Sequence, residues 1–128
     1  MSRPLINKLL ALSPHIRYVA VYRDGTLTSA VREGLADASS PETDRYEELL
    51  VNPALVTLTR QRGDIDSGGM RYLLIRYGNF FQLVIPYGDG HVSVAIEPGP
   101  DPVSIAALVE GSLKEDAARG ATPGRRSR

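Results

Sequence analysis

The chain has 128 residues, in which fifteen lysines and arginines balance fifteen aspartates and glutamates. Because its net charge is zero, no overall field steers nucleic acid or an anionic membrane toward it, which argues against a general electrostatic binder. The absence of cysteine excludes disulfides, thiolate nucleophiles and cysteine zinc sites, and two histidines do not suffice for a structural metal cage. We therefore expect one domain with a single core and neither cofactor nor metal.

A short amphipathic helix is predicted at the start of the chain. Ser2 is a suitable cap, Pro4 suits the first turn, and the apolar stripe stops at Ser13-Pro14. Its longest apolar stretch, residues 9–12, is far too short for a membrane span or the core of a signal peptide. We expect a soluble, cytoplasmic protein, which also fits the absence of cysteine.

A hairpin should follow this helix. The run from Ile16 to Tyr22 favours a strand. Asp24-Gly25 is typical of a two-residue type I′ turn, because both positions of that turn need positive φ. The return strand, residues 26–32, is more polar, which suits an exposed sheet edge.

A long helix is predicted next. Ser39 or Ser40, followed by Pro41, is a strong start signal for it. Asn52-Pro53 interrupts the pattern, but the same pair is also typical of a helix start. We therefore predict one long helical region that is kinked at Pro53, followed by a loop over residues 63–69.

Three apolar runs, residues 70–77, 80–85 and 91–96, stand almost back to back and predict an antiparallel meander. The first two runs carry apolar residues at odd and even positions alike, so both faces of the sheet should be covered. A last helix is predicted after Asp101-Pro102. The ordered domain is expected to span residues 1–115, with a disordered basic tail over residues 116–128.

The order helix, hairpin, long helix, meander, helix resembles that of the roadblock/LC7 domain. The segment from Tyr18 to Gly25 looks like the apolar strand of that family ending in Asp-Gly, and the segment from Arg71 to Arg76 looks like its third strand. The resemblance implies an α+β fold with a five-stranded antiparallel sheet of order 2-1-5-4-3. The long helix would cover one face of this sheet, and the N- and C-terminal helices the other.

The resemblance also implies a function. Members of the family commonly form homodimers by joining their third strands while the long helices meet across the two-fold axis. The implied role is a non-enzymatic scaffold or regulatory subunit that binds or regulates a small Ras-like GTPase or organises a cytoplasmic complex. The predicted dimer interface consists of Tyr72, Leu74 and Arg76 on the third strand and Tyr46, Leu49, Leu50 and Pro53 on the long helix.

Local motifs do not favour catalysis. Asp64 and Asp66 lie beside glycines, but their spacing lacks the distal carboxylate of a calcium loop. The segment from Gly88 to His91 brings an acid and a base together, yet a tight turn needs Gly and Asp for its own geometry. No nucleophile elbow and no phosphate-binding loop occurs. Catalytic, cofactor and metal residues are therefore all predicted to be absent.

Two alternatives stay open from the sequence. The tyrosine-rich, helix-covered sheet is compatible with a small-molecule sensor of PAS-like or profilin-like architecture, in which the sheet and long helix enclose a ligand. A subunit that pairs with a related chain, rather than with itself, would carry the same pattern. A copurifying ligand would favour the first alternative.

Overall fold

The computed structural model describes residues 2–35 and 38–120. In chain order it contains α1 (Arg3–Leu10), β1 (Ile16–Arg23), β2 (Thr26–Val31), α2 (Pro41–Tyr46), a π-helical turn (Glu47–Val51), α3 (Asn52–Asp66), β3 (Leu73–Arg76), β4 (Phe81–Tyr87), β5 (Gly90–Ile96) and α4 (Pro102–Gly120). We call the continuous helical stretch from Pro41 to Asp66 the long helix. None of the helices described is long and apolar enough to cross a membrane.

The five strands form one antiparallel sheet in the order β2-β1-β5-β4-β3, which confirms the predicted order. The main core lies between one face of the sheet and helices α1 and α4. It is formed by Leu5, Ile6, Leu9, Ile16, Val19, Val21, Leu83, Ile85, Val92, Val94, Ile96, Ile105, Ala106, Val109 and Leu113. The long helix covers the opposite face, where Tyr18, Ala20 and Ala95 form a smaller cluster.

Both two-residue hairpin turns use positive φ. Asp24 and Gly25 have φ values of 54° and 75°, as the type I′ prediction requires. The turn between β4 and β5 is tighter than predicted, because Tyr87 already pairs with Gly90. Gly88 takes φ 59° in that turn. These turns fix the registers of their strands.

The long helix starts as predicted and is interrupted by a π-helical turn. The Ser40 hydroxyl accepts a hydrogen bond from the Thr43 N–H at 3.1 Å. Pro53 has no N–H for the Leu49 carbonyl, and its ring crowds that carbonyl. The strain is relieved by wider spacing, because the Asn52 N–H donates to the carbonyl of Glu47, five residues back. The predicted kink site is thus a π-helical turn in a continuous helix.

The predicted loop over residues 63–69 is wrong at its start, because α3 continues to Asp66. The chain then folds back over the last turn of the helix, with Gly68 and Gly69 at φ 82° and 89°. Met70 N lies 2.9 Å from the place a Cβ on Gly63 would occupy. Gly63 therefore serves close backbone packing instead of beginning a loop.

Helix α4 continues to Gly120, five residues past the predicted domain end at residue 115. The Tyr87 hydroxyl donates to the carboxylate of Asp116, which ties this part of α4 to β4. Lys8 in α1 pairs with Glu115 at 2.9 Å. These polar contacts join α4 to β4 and to α1 near residues 115 and 116. The rest of the predicted tail, residues 121–128, lies outside the described residues.

Candidate functional site

A buried polar cluster lies between the long helix and the sheet. Glu48, in the π-helical turn, has no exposed surface, and His91 on β5 is only 2% exposed. Glu48 Oε1 accepts hydrogen bonds from His91 Nε2 at 2.7 Å and from Asn52 Nδ2 at 3.0 Å. Glu48 Oε2 accepts one from the Tyr18 hydroxyl at 3.0 Å. A single carboxylate thus joins the long helix to β1 and β5.

The cluster stabilises the packing of the helix but is closed to solvent. Burial, followed by the charges of Glu48 and Asp44, raises the pKa of the Tyr18 phenol above its ordinary range. The phenol therefore keeps its proton and donates a hydrogen bond to Glu48. A buried carboxylate is tolerated when its hydrogen bonds are satisfied, and here three donors satisfy it. The arrangement suits a structural connection between the long helix and the sheet.

This cluster was not predicted from the sequence, in which His91 begins a predicted strand beside a turn and Glu48 is given no role. One signal was available, since Glu48, Asn52 and Val56 recur every four residues and all are buried. Two polar residues on the face of a helix that packs against a sheet require polar partners across the interface. The identity of those partners depends on tertiary contacts.

A cleft of about 180 Å³ opens beside the cluster, between α2 and the sheet. Asp44 and Glu47 form part of its wall on the long helix. On the sheet side, Arg17 pairs with Glu97 at 3.2 Å, and its guanidinium lies 5.3 Å from the centroid of the Phe80 ring. Pockets that enclose small ligands usually measure roughly 300–1,000 Å³. This cleft lies below that range, whereas an adjoining open recess of about 570 Å³ between α2 and β2 lies within it.

The surroundings of two carboxyl groups at this cleft disfavour their charged forms. Burial is the main cause that raises the pKa of both Asp44 and Glu47, and the charge of Glu48 adds to it. The Tyr77 hydroxyl donates to Glu47 Oε2 at 3.0 Å and partly offsets this effect. Burial, followed by that bond, raises the pKa of Tyr77 to about 12. Burial therefore makes the charged forms of Asp44 and Glu47 less favourable here than in water.

We expect Glu47→Gln to stabilise the protein at pH 7. The amide keeps an oxygen acceptor for Tyr77 and removes a desolvated charge. Because folding raises the pKa of Glu47, the native state binds this proton more tightly than the unfolded state, and stability falls as the pH rises through the titration. The gain should therefore shrink between pH 7 and pH 4 in thermal unfolding. Glu33→Gln, at an exposed position, is the control; an equal gain at both pH values contradicts the expectation.

Four large apolar side chains lie exposed along the outer face of the long helix. Tyr46, Leu50, Leu58 and Ile65 are 59%, 60%, 64% and 74% exposed, respectively. We call these four residues the helix stripe. Apolar side chains exposed singly are ordinary, but a row of them on one helix face is typical of a surface that binds another protein.

β3 forms one margin of the sheet and pairs with β4 along one side. Paired residues of antiparallel strands share a face. Leu74, opposite Leu83, therefore points toward the main core, and Leu73, opposite Val84, toward the layer of the long helix. The outer backbone groups of this edge are open to the addition of another strand.

The predicted interface residues near β3 differ in their exposure. Tyr72 lies just before β3, which is shorter than the predicted strand. Tyr72 and Leu74 are partly buried against the main core. Arg76 is exposed, with its guanidinium 5.1 Å from the centroid of the Phe81 ring. The side chains of Tyr72 and Leu74 therefore support the fold of their own chain, and the edge presents chiefly its backbone.

The predicted interface residues on the long helix also divide into two groups. Tyr46 and Leu50 are exposed and belong to the helix stripe. Leu49 and Pro53 are half-buried, and Pro53 lines a recess that it shares with His91. The sequence analysis did not select Leu58 or Ile65. The interface itself stays a prediction.

The acidic motifs have structural roles. Asp66 is in the last turn of α3 and pairs with Arg62 at 2.8 Å. The Asp89 carboxylate accepts a hydrogen bond from the backbone N–H of Asp24 at 3.1 Å, which ties the two hairpin turns together. Within residues 2–35 and 38–120, no group of three His, Cys, Asp or Glu side chains is placed to hold a metal ion.

The fold of the chain is that of a roadblock/LC7 domain. A roadblock/LC7 domain from Streptomyces avermitilis superposes with a TM-score of 0.67 at 17% identity, covering 92% of this chain and 96% of that one. MglC from Myxococcus xanthus gives a TM-score of 0.62 at 10% identity, covering 92% and 98%, respectively. A structure of MglB with a tetrameric arrangement gives 0.64 at 13% identity, covering 91% and 84%.

These likenesses rest on structure alone. No protein-family model and no curated protein sequence matches the chain. At identities of 17% and below, the superpositions show the fold and leave the activity to be argued from the chain's own residues.

Proposed function

We propose that the chain is a non-enzymatic scaffold or regulatory subunit that pairs with a second copy of itself through the helix stripe and the open edge of β3. The observation that carries this proposal is a row of four exposed apolar side chains beside a sheet edge. The bond between Tyr77, just after β3, and Glu47 places the helix and this edge side by side. A two-fold axis beside such an edge lets each copy use the same surface.

Two further observations support an assembly role. Among the described residues, the most deeply buried titratable groups, Glu48 and His91, are bonded to each other and enclosed, which suits stability better than turnover. The MglB structure with the same fold has a tetrameric arrangement. We propose the same general capacity for this chain, with a dimer as its unit.

We also propose a small Ras-like GTPase as a further partner in the cytoplasm. Support for this partner comes from the resemblance to roadblock/LC7 domains and from the fold. A purified Ras-like GTPase from the same cell should bind the dimer in a pull-down or change its rate of GTP hydrolysis. If neither occurs, the GTPase assignment is wrong, although the pairing with a second copy would still stand.

The double variant Leu50→Lys/Leu58→Lys is expected to be monomeric. Both side chains are more than half exposed, so lysine should be accommodated in the monomer, whereas two charges at the centre of the pair should weaken association about 100-fold or more. Sedimentation equilibrium over a range of concentrations measures the change. Lysines at Tyr72 and Leu74 would be a poorer test, since both side chains pack on the main core.

Leu108→Lys is the matched control, because Leu108 is 49% exposed on α4, which packs on the face of the sheet opposite the long helix. This variant should dimerise like the wild type. A wild-type chain that stays monomeric at all concentrations would contradict the proposed pairing. Equal weakening by the control would place the contact on another surface.

A further inference from the structure

The π-helical turn divides the helix stripe into two parts. Successive residues of an α-helix are about 100° apart around the axis. Leu58 follows Tyr46 by twelve residues and Ile65 follows it by nineteen. In an uninterrupted α-helix they would therefore point about 120° and 100° away from Tyr46. They would not share its face.

The π-helical turn removes this mismatch. It takes one more residue per turn than an α-helix, so it absorbs about 100° of the rotation. Leu58 and Ile65 then lie within about 20° of Tyr46. The same calculation of rotation around the helix axis applies to the buried face. With the π-helical turn, Glu48 and Val56 come to within about 20° of each other, and both are buried. The turn therefore aligns both faces of the long helix.

Glu48 is bonded to the sheet only in this geometry. With α3 held in place through the buried Val56, a plain α-helix would turn the Glu48 carboxylate about 100° away from His91 and toward water. A carboxylate gains hydration when it leaves a protein interior, so the hydrogen bonds from Tyr18 and His91 on the sheet must hold Glu48 in place. Those bonds act against relaxation of the π-helical turn.

We propose that Glu48, anchored by His91, is a positioning residue for the partner surface. It holds the π-helical turn and so brings Tyr46 into line with Leu58 and Ile65, although neither Glu48 nor His91 is exposed to a partner. The role in partner binding rests on the proposed function. The alignment of the side chains is a property of the single chain and is measurable separately.

Spin labels test the alignment directly, because the chain has no cysteine of its own. One labelled pair is Tyr46→Cys/Leu58→Cys, which spans the π-helical turn. The matched pair is Ala54→Cys/Asp66→Cys, which has the same twelve-residue separation within α3. Double electron–electron resonance should give a shorter distance for the first pair, whose labels share a face. Equal distances would overturn the alignment.

Two variants in the background of the first pair then test the role of Glu48. In Glu48→Ala/His91→Leu the anchor is gone, and the distance should lengthen toward that of the matched pair. In Pro53→Ala the anchor is intact, and the distance should stay short. A lengthened distance in Pro53→Ala would make the proline the positioning residue and overturn the assignment, even if the first variant does not fold. An unchanged distance in Glu48→Ala/His91→Leu would overturn it as well.

Association is measured on the same two variants without labels. Glu48→Ala/His91→Leu should dimerise at least tenfold more weakly than the wild type, with every residue of the helix stripe still present, whereas Pro53→Ala should dimerise normally. Normal dimerisation by the first variant would overturn the role of Glu48 in partner binding. A monomeric wild type with a short label distance would instead contradict the proposed pairing and leave the alignment standing.

Discussion

Gly90→Ala is expected to destabilise the protein by more than about 4 kcal/mol, which is exceptional for the addition of one methyl group. The new Cβ would lie 1.7 Å from the carbonyl oxygen of Tyr22 and 2.8 Å from its carbonyl carbon. Both are backbone atoms of β1, which pairs with β5 next to this point, where Tyr22 lies opposite His91. Relief of the overlap would require two central strands to separate.

The control for this expectation is Gly111→Ala. Gly111 lies within α4, and a Cβ there would meet nothing within 4 Å. Because alanine is the better helix former, the substitution should stabilise the protein by about 0.5–1 kcal/mol. Urea denaturation of both variants measures the contrast. A loss of stability in Gly90→Ala no larger than about 1 kcal/mol would be an ordinary mutational effect. It would show that β1 and β5 separate at this point more easily than their pairing implies.

Glu48→Ala is expected to cost about 3–5 kcal/mol, the range seen when one partner of a buried pair is removed. The substitution leaves His91 Nε2, Asn52 Nδ2 and the Tyr18 hydroxyl without their acceptor in a site closed to water. Glu115→Ala is the comparison, because this glutamate pairs with Lys8 at the surface. Its removal should change stability little.

The Glu48→Ala/His91→Leu double variant separates the net contribution of the pair to stability from the cost of removing one partner. Leucine removes the orphaned imidazole and fills part of the space, so the double variant should be more stable than the sum of the two single losses predicts. Urea denaturation of all four chains completes the cycle. Strictly additive losses would mean that the two side chains do not interact in the native state.

Local signals in the sequence predicted much of the fold. Asp24-Gly25 needs no distant partner to favour its turn, since two positive φ values in succession select those residues. Ser40 and Asp101 accept hydrogen bonds from backbone N–H groups two or three residues ahead, so the starts of α2 and α4 followed from adjacent sequence. The course of α4 beyond residue 115 did not, and there Asp116 contacts Tyr87, which is 29 residues away in the chain.

The candidate site was only half predictable. Tyr46 and Leu50 were predicted through the resemblance to roadblock/LC7 domains. Leu58 and Ile65 did not follow, because a period of 3.6 residues places them on another face of the helix. Pro53 predicted an interruption of the helix, but a proline is compatible with a break, a kink or a π-helical turn. Which of these forms determines the direction around the helix axis in which every later side chain points.

The sequence by itself determined the elements, their order and the turns between them, because each depends on hydrogen bonds and backbone angles within a few residues. Only the tertiary structure decided which polar residues are enclosed and which apolar residues face outward. Glu48 and His91 are 43 residues apart in the chain. Their bond forms only when the long helix lies across β5, and through the π-helical turn that contact decides which side chains the chain presents to a partner.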